Sequence, residues 1–447
     1  MATHAARSRL SALAVFSAAF GTMACSTANA QTTDVPDRGF WMGFTPFPYD
    51  ISLDAIIEGA ALIQQNADLF CMHNDHGVPW DEALAGDPDG YPNSIKEEIA
   101  RVASSTPAGH FLYVSTTPQR NSRDEQLALY WGESTNQPLP PDWAARNMDD
   151  PLVVEAYTNW CSYLISELQP DAFAYAIEAN GGFSGLTDPG YAEFRALIAQ
   201  VYPELKQRHP GVTILLSVQT TSQAAGRTEL LPLTEDLLAF SDWIGVSTYP
   251  YLRLDADSPP FGIATASNVA EVPADLISRI RDLDPAKPFA ITETGFHAER
   301  LTIPALGIDL PGTPVSQAAY VEWVTDEVAR LGGEFLVWFL GRDHDALNAQ
   351  VFPNGGEDPL FLIWRDTGLV SGDGRARLGL ESWRAVLGNA PPSVGGWAPP
   401  FASADFFDVM SYLRAFDAQD PVADIAAPAG VLDSADSAAI VGSVPGP

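Results

Sequence analysis

The sequence predicts an α/β fold: a (β/α)8 TIM barrel with a small helical C-terminal appendage. Three observations predict it. Eight short apolar runs alternate with amphipathic stretches over about 350 residues. Two of those runs close on a carboxylate, Glu178 and Glu293, where a barrel presents its reactive lip. No Gly-rich phosphate turn follows an early run, since Gly39-Phe-Trp-Met-Gly43 lies inside one, so a doubly wound open sheet is the weaker reading.

Residues 1–30 are expected to be a removable signal peptide. Arg7 and Arg9 precede an apolar run from Leu10 to Phe20, and Ala28-Asn-Ala30 has the small-x-small form of a cleavage site. The run is too short to span a bilayer, and no other stretch is apolar enough, so a secreted chain beginning at Gln31 is expected. The formal charge is −33, and losing Arg7 and Arg9 takes it to −35 (−33 minus 2). Nucleic acid and anionic membrane surfaces are poor partners for such a surface, and neither is expected as one. Cleavage leaves Cys71 and Cys161, in a predicted strand and a predicted helix, without metal-type spacing. Two buried free thiols are expected.

The barrel is expected over residues 36–388. Its strands are read at Phe40–Phe44, Leu69–His73, Phe111–Ser115, Phe173–Glu178, Thr213–Val218, Trp243–Ser247, Phe289–Glu293 and Phe335–Phe339. The seventh is bounded by the breaker Asp284-Pro-Ala-Lys-Pro288 before it and by Thr294-Gly295 after it. Helices are read between strands, among them Leu53–Gln65, Pro151–Leu168, Tyr191–Gln207 and Val315–Leu331. Residues 389–400, rich in Pro and Gly, form a linker. Residues 401–447 hold an amphipathic helix and spaced aspartates, Asp405, Asp408, Asp424, Asp433 and Asp436.

Two carboxylates at the ends of two barrel strands suit glycosidic bond cleavage. One protonates the leaving oxygen and the other attacks the anomeric carbon. Trp41, Trp80, Trp131, Trp143, Tyr251, Trp338 and Trp364 fall near strand ends, where aromatic rings could stack on sugar C–H faces, and about half are expected only to pack loops. His73-Asn-Asp-His76 follows the second strand. A metal hydrolase would need further His at other strand ends, but strands five and six close in Ser217-Val-Gln219 and Ser247-Thr-Tyr249. His73, Asn74 and Asp75 are therefore read as contacts to sugar hydroxyls, with no metal in the site. Gly341-Arg-Asp-His-Asp345 is read as a sugar-contacting loop or a capped turn.

With Glu178 on strand four, Glu293 on strand seven, Tyr249 past strand six and Trp338 on strand eight, residues 36–390 resemble the retaining (β/α)8 glycoside hydrolases of clan A. Asp242-Trp-Ile-Gly-Val-Ser-Thr-Tyr-Pro250, Gly39-Phe and Phe44-Thr-Pro-Phe-Pro-Tyr49 lean towards the endo-β-1,4-galactanase-like branch. The resemblance implies Glu178 as acid/base, Glu293 as nucleophile, Tyr249 orienting the nucleophile, and a polysaccharide substrate without a catalytic cofactor. Ile177 stands where the clan carries an Asn that binds the sugar 2-hydroxyl, and Asn180 is the candidate to replace it. The tail is similar to a dockerin, which implies Ca²⁺ on its aspartates and a cohesin-like or cell-surface partner, although Ala426 and Pro428 occupy ligand positions. The expected function is a secreted retaining endo-glycosidase of a plant or algal polysaccharide. A barrel that binds glycans without cleaving them and a metal-dependent hydrolase are the alternatives.

Overall fold

The computed structural model describes residues 38–120, 126–220, 230–251, 253–254, 263–264, 266–304, 307–352 and 359–388. The expected signal peptide, linker and dockerin-like tail lie outside these residues. Eight parallel strands close into a barrel: β1 Trp41–Phe44, β2 Leu69–Asn74, β3 Phe111–Thr116, β4 Ala172–Ala174, β5 Thr213–Gln219, β6 Ile244–Thr248, β7 Phe289–Thr294 and β8 Gly333–Trp338. Each strand pairs with its sequence neighbours, and β8 pairs with β1 in register from Trp41–Phe335 to Phe44–Trp338.

Burial explains why such short runs form strands. Outward side chains pack beneath the helices and inward ones fill the barrel, so both faces are apolar. The lower interior layer holds Trp41, Leu69, Cys71, Phe111, Tyr113, Ala172, Ala174, Leu215, Ala290, Phe335 and Val337. Cys71 and Cys161 are both free and buried, in accord with the sequence reading.

The outer helices start and stop where their sequences dictate. Asp150 caps Pro151–Leu168 and Asp188 caps Pro189–Arg208, each with proline in the first turn. Thr313 and Ser316 form a reciprocal capping box on Pro314–Leu331, which Gly332 ends at φ 69°. The last helix, Leu378–Leu387, seals the seam: the Trp383 indole N–H donates to the Asn66 carbonyl at 2.7 Å. Among the described residues, no helix is long and apolar enough to cross a membrane.

One expected strand is shortened. The fourth was read through to Glu178, but β4 ends at Ala174 and residues 175–180 turn. The turn stays tied to β5, through Tyr175 N–H to Leu215 O at 3.0 Å and Ala179 N–H to Ser217 O at 2.7 Å. Glu178 thus stands beyond the strand, in a left-handed backbone conformation at φ 51°.

Candidate active site

Alternation along the strands decides which residues reach the mouth. Trp41, Cys71, Tyr113 and Phe335 face inward low in the barrel, so residues two or four further along, His73, Ser115 and Phe339, point into its upper end. β7 breaks this rule. Its register with β6 runs Val246–Ile291 and then Ser247–Glu293, leaving Thr292 as an extra residue. Ala290 is an interior residue, and Thr292 lies on the barrel side too, with its methyl 3.0 Å from where a Gly245 Cβ would stand. Strict alternation would then turn Glu293 outward. The bulge re-aims it into the mouth, as bulges beside reactive sites commonly do.

Glu293 is buried, and both its oxygens face polar groups. The Tyr249 hydroxyl donates to Oε2 at 3.2 Å, and His73 Nδ1 lies 3.5 Å from Oε1. Burial, followed by the charge of Glu293, drives the Tyr249 hydroxyl well above its ordinary pKa, and the charge of Glu178 adds to this. Tyr249 is therefore protonated and able to donate, and it senses both carboxylates. Burial, with Glu293 next, also pushes the Cys71 thiol far up.

Glu178 approaches from the other side of the mouth. Ser247, the register partner of Glu293, donates its hydroxyl to Glu178 Oε1 at 2.8 Å. The Gln219 amide donates to Oε2 at 2.9 Å, and the Glu178 backbone N–H donates to Ser217 Oγ at 2.8 Å. Strands β4 and β7, which do not pair with each other, thereby bring their carboxylates to one place through the β6 residue between them.

The aromatic surroundings differ from those expected. Trp338 is one residue out of phase: it is fully buried outside the barrel, its indole N–H donating to the Thr367 carbonyl at 2.9 Å. Phe339 takes the mouth instead, its ring 5.6 Å from that of His73, 5.9 Å from Tyr249 and 5.9 Å from Trp364. Phe47 closes the group, 5.3 Å from Phe339. Trp41 lies at the opposite, N-terminal end of its strand, stacked on Phe111. Trp80, Trp131, Trp143 and Tyr251 are buried, so of the seven aromatics singled out only Trp364 is part-exposed at the mouth.

Asn180 is also placed otherwise than expected. It is fully buried, its carbonyl accepting from Gln219 N–H and its amide donating to Gln219 O and Thr234 Oγ1. Asn74 is buried at the outward position beside Thr116 and accepts from His76 N–H. Asp75, part-exposed, stands between His73 and His76, 3.8 Å from each ring. Among the described residues, the carboxylate group shaped to hold a metal is Asp343, Asp345 and Asp366, beyond β8. Guanidinium groups already meet its charge, Arg377 on Asp343 at 2.5 Å and Arg365 on Asp366 at 2.8 Å. The Gly341–Asp345 loop is thus tied to other segments by ion pairs, Asp343 to Arg377 and Arg342 to Glu58.

Gln219, Ser247, Phe47 and Phe339 were not among the expected site residues. The first two had a signal: a polar residue at an inward position closing an apolar strand.

No family model and no curated protein matches the sequence. Solved structures match its fold. The Ignisphaera aggregans GH53 catalytic domain is 16% identical, with 79% of this chain and 98% of that one covered and a TM-score of 0.50. A GH5_18 protein of Streptomyces cattleya in complex with Manb1-4GlcNAc is 15% identical over 85% and 93%, with a TM-score of 0.52. Its counterpart from Bifidobacterium longum, in complex with the same ligand, is 15% identical over 78% of each chain, also at 0.52. At these identities the likeness is one of fold.

Proposed function

We propose that this chain is a secreted retaining endo-glycosidase that hydrolyses a β-linked plant or algal polysaccharide, with Glu293 as nucleophile and Glu178 as acid/base. The observation that carries the reading is the convergence of the two carboxylates, which share Tyr249 and the β6 residue Ser247 as neighbours. The Tyr249 hydroxyl, donating to Oε2, holds the Glu293 carboxylate oriented for attack. Glu178 is hydrogen-bonded to the residue beside Glu293, so both carboxyl groups open on one mouth, as a double displacement requires.

In the first step Glu293 forms an ester to the anomeric carbon, while Glu178 gives its proton to the departing glycosidic oxygen. In the second, Glu178 takes a proton from water, the water oxygen bonds to the anomeric carbon, and the Glu293 ester breaks. Phe47, Phe339 and Trp364 supply part-exposed rings against which the sugar would pack. The Manb1-4GlcNAc in two of the fold neighbours is a β-linked ligand of the proposed kind. The galactanase-like sequence features make β-1,4-galactan the first substrate to try. The leader pattern supports export, and the tail aspartates support a Ca²⁺-binding appendage for a cohesin-like or cell-surface partner. A polysaccharide panel tests the substrate. Replacing either carboxylate by Gln tests the mechanism. Glu293→Gln is expected to lower hydrolysis by at least roughly 10⁴-fold, whereas wild-type rates in both variants would show that these carboxylates do not carry the hydrolysis, and a wild type that cleaves nothing on the panel would leave a glycan-binding barrel.

A further inference from the structure

A residue with a Cβ adopts the left-handed backbone of Glu178 only where its surroundings impose it. Here the backbone is held by β5 and by the turn itself, and the carboxylate by β5 and β6. Ser217 Oγ accepts from the Glu178 N–H, and the Gly181 N–H donates to the Glu178 carbonyl at 2.8 Å. Both carboxylate oxygens carry a donor, Ser247 Oγ on one and Gln219 Nε2 on the other. Gln219 is itself gripped: its backbone N–H donates to Asn180 Oδ1 at 2.8 Å, and Asn180 Nδ2 donates to its carbonyl at 3.1 Å and to Thr234 Oγ1 at 2.9 Å. A side chain at Gly181 would crowd this clasp, since a Cβ there would lie 3.3 Å from Gln219 Nε2 and 3.1 Å from the Glu178 carbonyl oxygen.

Resting on the reading of Glu178 as acid/base, we propose that Gln219 and Ser247 are positioning residues that aim its carboxyl, with Asn180 as the clasp that holds Gln219. An amide N–H only donates, so Gln219 keeps one oxygen of the carboxyl fixed in both protonation states. The Ser247 hydroxyl can turn from donor to acceptor as the other oxygen gains or gives its proton. The same carboxyl is therefore held for both proton transfers, first to the leaving oxygen and then from water. Asn180 thus acts on the acid/base turn from behind, without touching sugar.

The test compares Gln219→Met and Ser247→Ala with wild type. The substrates are matched dinitrophenyl and unactivated alkyl β-glycosides of the sugar the wild type releases. The kcat/KM for the alkyl glycoside, whose departure needs a proton, is expected to fall about 10- to 100-fold in Gln219→Met. That for the dinitrophenyl glycoside, whose departure needs little, should stay within about threefold of wild type. Ser247→Ala removes a single hydroxyl and carries the test should Gln219→Met fail to fold. An equal loss on both substrates, or none on either, overturns the positioning role and leaves the glycosidase standing. A wild type that cleaves no glycoside overturns the acid/base reading and this proposal with it.

Discussion

The roles of individual residues here follow from one-residue differences in where they point. Phe339 and Trp338 are neighbours, yet one lines the mouth and the other is locked under the helices by its bond to the Thr367 carbonyl. Phe339→Ala should therefore raise KM or lower kcat by roughly tenfold or more with little change in stability. Trp338→Ala should instead cost about 3–5 kcal/mol in unfolding free energy. Paired kinetics and urea melts check both halves. The sequence placed strand eight correctly but put the wrong ring in the site, and the reason is physical. A barrel strand is apolar on both faces, so its alternation does not say which face is inside. Glu293 escaped that ambiguity only because a carboxylate is tolerated at the mouth and not beneath the helices. Asn180 was misread for a related reason: a polar residue near a reactive carboxylate suggests substrate contact, and sequence cannot show that a neighbouring strand already uses its amide.

At the scale of elements, most strand and helix bounds were legible to within a residue or two, because the apolar runs are bounded by Pro, Gly or an acidic cap, and the exception is the fourth strand, read through to Glu178 but ending at Ala174. Two irregularities were not legible, and both serve the site. The extra residue Thr292 in β7 and the left-handed Glu178 after β4 are imposed by neighbouring strands, and residues 288–296 and 171–180 carry no local signal for either. The helices behave conversely, with their ends set locally. Thr313→Ala, which breaks the capping box of Pro314–Leu331, should cost about 1 kcal/mol. Because the box is exposed, activity per folded molecule should be unchanged. Chemical denaturation with a parallel rate assay checks this, and a loss of activity without a loss of stability would show that this helix end reaches the site.

For the molecule as a whole, two buried histidines work against stability towards acid pH, in the opposite sense to Asp343, whose carboxyl burial raises to about 8. Burial lowers the pKa of His297 to about 4, against smaller opposing effects of the Pro311 backbone and of Asp366, and burial alone takes His344 to about 4. Both are neutral in the folded chain while their unfolded counterparts take up protons below about pH 6.5. At these two groups the unfolded state thus binds more protons in this window, and their contribution to stability falls as pH drops from about 6.5 to 4, by up to roughly 3 kcal/mol for each group. Melting temperature against pH should be steeper in wild type than in His344→Gln across that window, with the curves parallel above it. The whole barrel is also what brings Glu178 and Glu293 together, and a single experiment on both tests that convergence. Glu293→Ala and Glu178→Ala are given an activated β-glycoside and azide, and the anomeric configuration of the glycosyl azide is read by NMR. With the nucleophile gone, azide should attack directly and give the α-azide. With only the acid/base gone, it should release the glycosyl-enzyme as the β-azide. Opposite configurations from the two variants would bear out the roles assigned here; the same configuration from both, or no azide product from either, would contradict them.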